Sequence, residues 1–256
     1  MRAFHVAESG LHTPETRALL TAIGVLHADL ESISPRIEAD DYPLILDVLR
    51  RRMPALYAAY EACIGQVLIT EGRRPSCSRS CSACCRHFVA SVEPFELLSL
   101  DAHPKTRPDY AESVVSNYRK SMLYDELLQR ERESGRPDEE ADDRATYRYF
   151  LKGVPCTFLE PDGSCGVYAH RPMACRMFFA ESPPRFCAGK AIASPWNRNF
   201  QVEMPQEVEE ALARCARLLE HLELPDGLFP GLVAANGLFG RYDASPESSA
   251  SEGSPE

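Results

Sequence analysis

The chain has 256 residues, 44% of them hydrophobic, and a formal net charge of −10. That is enough apolar material for one substantial core, and no stretch approaches the apolar length of a membrane span. The acidic balance argues against generic nucleic-acid binding, which needs a basic surface. The opening residues show no apolar signal region, so a cytoplasmic protein is expected. In a reducing compartment ten cysteines are not expected to be a disulfide framework; clustered cysteines there are metal ligands or catalytic thiols.

In chain order, residues 14 to 31 read as a helix, with Pro14 in its first turn and a stripe of Leu19, Leu20, Ile23 and Leu26 or Leu30. Residues 40 to 72 read as two helices meeting at Pro54, which lacks the amide to continue one but suits the first turn of the next. On the second, Leu56, Tyr60, Cys63, Ile64, Val67 and Leu68 share a face, and Gly72 closes it. Four cysteines follow within nine positions. A short helix is then expected from Glu93 or Pro94, a Pro-rich link at 102–108, a longer helix near 109 to 133, and another over 139 to 152.

The segment "EPDGS" signals a turn between two short β-prone pieces, and Pro172 opens a helix carrying Cys175. Residues 182 to 200 read as irregular chain. Residues 205 to 223 read as a helix with Leu212, Cys215, Leu219 and Leu222 in register, and the apolar segment 225 to 240 packs back on the core. Residues 243 to 256 read as a disordered acidic tail. The expected fold is therefore mainly α: a single helical domain over residues 1–242, around an irregular cysteine-rich core with a small β-hairpin. Its parts are N-terminal helices over 14–72, the cysteine core over 75–190 and C-terminal helices over 205–240.

Two of the ten cysteines, Cys63 and Cys215, lie on apolar helical faces and read as small core hydrophobes. The other eight form short-range patterns: Cys77, Cys81, Cys84 and Cys85, then Cys156, Cys165, Cys175 and Cys187. A C-x2-C turn lets two sulfurs converge on one metal, and a hairpin turn between Cys156 and Cys165 presents soft ligands well. At the start of a helix, Cys175 would feel a dipole that favours its thiolate. Arg73, Arg74, Arg79, Arg86, Arg171, Arg176, Arg185 and Lys190 flank these segments. Each can offset thiolate charge or simply be solvated surface.

His87 and His170 stand beside the cysteines but read as neighbours rather than ligands. Tyr168, Arg171 and Arg176 are candidates for a surrounding shell. The acidic run at 138–143 reads as a solvated helix start, and a lone Trp196 as core.

The blocks "CSRSCSACC", "PCTFLE" and "CGVYAHRPMACRMF" resemble the YkgJ-type CxxxCxxCC cysteine-cluster family, described as a zinc- or iron-chelating domain. The resemblance covers roughly residues 75 to 190. It implies metal binding through Cys77, Cys81, Cys84, Cys85, Cys156, Cys165 and Cys175, with Cys187 as an addition. Two closed four-thiolate zinc sites would use eight cysteines; an iron–sulfur cluster also takes four. The Cys77-x3-Cys81-x2-Cys84 spacing is similar to that of radical S-adenosylmethionine enzymes. Ala83 stands where an aromatic is usual there, however, and the alternating strands and helices of that fold are missing.

The arginine-rich surroundings favour an iron–sulfur cluster, of 4Fe–4S type, over zinc. The expected partner is thus a metal ion or cluster, with neither nucleic acid nor membrane. The role is structural, electron transfer or metal handling. A cluster-dependent enzyme modifying a protein, peptide or small molecule is the alternative. Thiol–disulfide exchange, which needs accessible low-pKa thiols, is a third.

Overall fold

The computed structural model describes residues 2–4, 13–33, 42–78, 80–103 and 110–242. The acidic tail and most of the Pro-rich link lie outside the described residues. Eight α-helices carry the fold among them: α1 (Pro14–Ile33), α2 (Tyr42–Thr70), α3 (Pro94–Ala102), α4 (Tyr110–Glu133), α5 (Asp138–Lys152), α6 (Met173–Arg176), α7 (Gln206–Arg217) and α8 (Leu228–Tyr242). None of them is long and apolar enough to cross a membrane.

Of the stripe foreseen on α1, Leu19, Ile23, Leu26 and Leu30 are buried, whereas Leu20 is half-buried at its edge. The break foreseen at Pro54 is not, because α2 runs through it as one helix. Pro54 sits on the exposed face, where water can take the carbonyl its missing amide leaves unpaired. Met53, Leu56, Tyr57 and Tyr60 hold both halves against one core. The helix expected over 205 to 223 is shorter than its pattern. α7 stops at Arg217, and a separate 3-10 turn follows at Glu220–Leu222.

Strands are few. β1 (Arg2–Phe4) runs parallel to β3 (Asn199–Val202), and β2 (Phe178–Ala180) runs antiparallel to β3, in the order β1-β3-β2. The expected hairpin between Cys156 and Cys165 shrinks to a single bridge, Leu159 with Cys165. Strand pairing occurs instead at β3, which begins in chain that reads as irregular, and at β1 and β2, which the sequence pattern does not mark.

Two apolar clusters organise the molecule. One joins α1, α2 and α7 with Phe95 and Leu98 of α3 and with Phe200 and Val202 of β3. The other joins Leu97 and Leu100 of α3 with Tyr124 and Leu127 of α4, Tyr149 of α5 and Phe229 of α8. The short helix α3 thus sends side chains into both. α8 reaches it closely: a Cβ added at Gly231 would lie 2.4 Å from Leu97 Cδ1. The cysteine-bearing segments lie along the junction. Cys156 and Cys165 pack on the second cluster, and Met173, which opens α6, belongs to the first.

Candidate metal centre

Four separate segments bring the eight clustered cysteines together. The first leaves α2 and is tied to β2 by the Ser76 amide, which donates to the Ala180 carbonyl at 2.7 Å. It then turns through a short 3-10 helix at Cys84–Arg86. The second segment docks on it directly, the Cys156 amide donating to the Cys85 carbonyl at 2.7 Å. The third contains α6, whose first amide, that of Met173, donates to Glu96 Oε1 at 2.7 Å. The fourth carries Cys187, whose thiol donates to Asn199 Oδ1 of β3 at 3.4 Å.

The tip of the Cys156–Cys165 loop presses on the first cysteine segment. Gly163 has φ +81°, and a Cβ there would stand 2.9 Å from the backbone oxygen of Ser80, itself at φ 67°. Gly163→Ala is expected to cost about 1–3 kcal/mol, from left-handed strain plus a backbone clash. Gly153 also has positive φ, with nothing near its Cβ, so Gly153→Ala should cost less. Thermal melting of both variants checks this, and equal losses would remove the role given to the Ser80 contact.

All ten cysteines are free thiols. The mutual effects of the clustered ones reveal two neighbourhoods. Burial pushes the Cys175 thiol well up, and Cys156, Cys84 and Cys165 push it further. Cys156 is raised to about 11 by burial and by Cys165 and Cys84, while Lys120 pulls it down. Cys84, Cys156, Cys165 and Cys175 therefore form one group of interacting sulfurs.

Cys187, also raised to about 11 by burial, interacts with Cys77, Cys81 and Cys84. Cys77 in turn interacts with Cys81 and Cys84. Cys84 belongs to both neighbourhoods. It is exposed as a residue, yet its thiol is raised, first by the hydrogen bond with Cys85 and then by loss of water. Among the described residues no three Cys, His, Asp or Glu side chains already stand as a shell that could hold a metal ion. The fold supplies gathered thiols rather than a closed cage, as is usual where binding and ordering are coupled.

Several local expectations change. α6 has four residues, too short for a dipole of any weight, and burial drives Cys175 up rather than down. The upward direction at Cys77, Cys84, Cys156, Cys165, Cys175 and Cys187 runs against thiol–disulfide exchange, which relies on thiolates. Trp196 is not core; it is 73% exposed. His87 stacks on Phe150 at 4.2 Å and His170 on His103 at 4.1 Å. Both are packed rings with pKa lowered by burial. In the acidic run, Asp138 pairs with Arg132 at 3.2 Å and Asp142 accepts from Tyr124.

The arginines divide by role. Arg73 pairs with Glu181 at 3.2 Å, and Arg86 donates to the Ser82 carbonyl at 3.0 Å. Arg171 and Arg176 both reach Glu61 and also act on the thiols, both lowering Cys165. Arg176 is buried, with its guanidinium on Glu61, on the carbonyls of Arg171 and Ala169, and over the Tyr57 ring at 4.1 Å. Arg171 lies over the Tyr168 ring at 4.2 Å, and its buried Nε has no hydrogen-bond partner. A buried donor without an acceptor is costly, and the charge of the same guanidinium favours thiolates at Cys84, Cys165 and Cys175. The donor set therefore fits a thiolate-bound metal.

A family model for the CxxCxxCC domain, described as a "Putative zinc- or iron-chelating domain", covers the same stretch. Residues 76–190 match the CxxCxxCC family. The matched segment holds all eight clustered cysteines and leaves Cys63 and Cys215, both buried in the first apolar cluster, outside it. No curated protein and no solved structure matches the chain. The CxxCxxCC match supports a zinc- or iron-chelating role. Sequence reasoning missed Glu96, Lys120 and Tyr149, which lie on α3, α4 and α5; each is a single position in a helical pattern, and no local motif marks it.

Proposed function

We propose that this chain is a metal-binding protein that holds an iron–sulfur cluster of 4Fe–4S type through its clustered cysteines. The observation that carries this reading is the match of residues 76–190, which hold all eight clustered cysteines, to the chelating family; the mutual electrostatic effects of Cys84, Cys156, Cys165 and Cys175, from three separated segments, support it. Four thiolates are the complement such a cluster takes. Cys77, Cys81 and Cys187 form a second neighbourhood, with the vicinal Cys84 and Cys85 able to serve both.

When bound, the cluster supplies one-electron chemistry and a cross-link between the two apolar clusters. The chain's own residues do the rest. Arg171 and Arg176 offset thiolate charge, and Cys156 and Cys175 are half-buried, which limits the access of water to them. Raised thiols make loading proton-coupled, because each ligand must lose its proton as metal enters.

The test is anaerobic purification followed by a visible spectrum and by assay of iron, zinc and acid-labile sulfide on one sample. Broad brown absorbance with iron and sulfide near stoichiometric is expected. A colourless protein with zinc would overturn the iron–sulfur half of the reading and leave a structural clamp. Protein that takes up neither metal would overturn the whole.

A further inference from the structure

Lys120 of α4 is a lysine only 7% exposed, and no carboxylate pairs with it among the described residues. Its ammonium donates to the hydroxyl of Ser116 and, at 3.0 Å, to Thr157 Oγ1. Thr157 in turn donates to Asn117 Oδ1 at 2.6 Å. Thr157 directly follows Cys156, so these bonds anchor the charge beside that cysteine. A second polar group lies in the apolar cluster on which Cys156 packs. Tyr149 of α5 is fully buried, and its hydroxyl has no hydrogen-bond partner.

Lys120 Nζ lies 5.6 Å from the Phe229 ring, and Tyr149 packs against that ring at 6.4 Å between centroids. Both groups interact electrostatically with Cys156. An unpaired buried cation and an unpaired buried hydroxyl are both costly in an apolar cluster. A thiolate at Cys156, next in the chain to the Thr157 that Lys120 holds and packed on the apolar cluster that contains Tyr149, puts a negative charge in the same region as both groups.

We propose that Lys120 and Tyr149 are positioning residues for the metal centre, forming a polar wall behind Cys156 that neutralises and hydrogen-bonds its sulfur when it is a metal-bound thiolate. The inference rests on the metal-binding reading but not on which metal is bound. It assigns opposite signs to the two states of the protein. Without metal, Lys120 is a buried charge that costs stability; with metal, it is a counter-charge that strengthens binding.

The experiment titrates Co(II) into the reduced full chain without oxygen, following the sulfur-to-cobalt charge-transfer absorbance, and melts each metal-free variant. Lys120→Met should bind Co(II) about ten-fold more weakly, while its metal-free form melts no lower than the parent protein. Lys120→Arg, which keeps the charge, should retain most of the affinity. Tyr149→Phe should move the charge-transfer band to lower energy, because a sulfur that loses a donor holds its electrons less tightly.

Unchanged affinity in Lys120→Met with a lowered metal-free melting temperature would make Lys120 a merely structural residue and overturn the proposal. If Lys120→Met fails to fold, a Tyr149→Phe band identical to that of the parent protein overturns it instead. A parent protein that binds Co(II) with no charge-transfer band overturns the metal-thiolate reading itself and this proposal with it.

Discussion

Replacing Cys175 by serine should strip the metal from its centre and loosen the fold around it. Cys175 interacts with Cys156, Cys84 and Cys165, so under the proposed function its loss removes one of four ligands. A hydroxyl is a poor substitute, since it stays protonated and is hard where thiolate is soft. Affinity should fall by at least about a hundred-fold, beyond the 10–100-fold typical of changes behind the ligands. Because binding energy is also folding energy, the metal-loaded protein should lose several degrees of melting temperature. Cys165→Ser and Cys81→Ser should lose metal too.

Cys63→Ser and Cys215→Ser are the controls. Both residues are buried in the first apolar cluster, with Cys63 Sγ 3.8 Å from Thr16 Oγ1 and Cys215 Sγ 3.7 Å from the Ile23 carbonyl. Each should cost about 1–3 kcal/mol for burying a hydroxyl while keeping full metal content. Metal analysis of the purified variants decides the matter. Wild-type metal in both Cys175→Ser and Cys165→Ser would mean that the assigned ligands are wrong.

Much of this arrangement is legible in the sequence, for identifiable reasons. α1 and α3 declare themselves because each has a proline in its first turn and an apolar stripe behind it. α4 and α5 are bounded by turn-forming segments. The separation of Cys63 and Cys215 from the other eight follows from helical spacing alone. Pro54 misleads because a proline's local cost is visible in sequence, whereas the continuous buried face that overrides it is a tertiary fact. β2 and β3 are equally hidden: strands of three and four residues exist only through the partner they pair with. Cys175 misleads in another way. A helix start suggests a lowered thiol, but the helix has four residues and the surrounding burial wins.

Stability should also fall as pH rises from about 4.5 to about 7, through one side chain. Glu96 is 1% exposed and tied at both oxygens: Oε1 accepts from the Met173 amide at 2.7 Å and Oε2 from the Glu93 amide at 3.4 Å. The Tyr57 hydroxyl makes a polar contact with it that lacks full hydrogen-bond geometry. Burial outweighs these donors and raises the carboxyl from 4.5 to about 7. A carboxyl raised in the folded state binds its proton more tightly there than in the unfolded chain. Its contribution is therefore most favourable below pH 4.5, declines as pH climbs, and is fully lost above 7.

The size of that change is about 3 kcal/mol, since each tenfold gain in proton affinity is worth roughly 1.4 kcal/mol. Glu96→Gln, neutral at every pH, should flatten this part of the stability profile measured by urea unfolding. A profile that keeps the slope in Glu96→Gln would assign it to another group. Glu96→Ala is a different test. Relative to Glu96→Gln, it leaves the Met173 amide unpaired at the start of the helix that carries Cys175, and should cost about 1–3 kcal/mol more at every pH. Since that amide sets where α6 begins, Glu96→Ala should also weaken metal uptake, whereas Glu96→Gln, which still offers an oxygen to Met173, should not. Equal metal affinity in the two variants would separate Glu96 from the centre and leave it a purely structural cap.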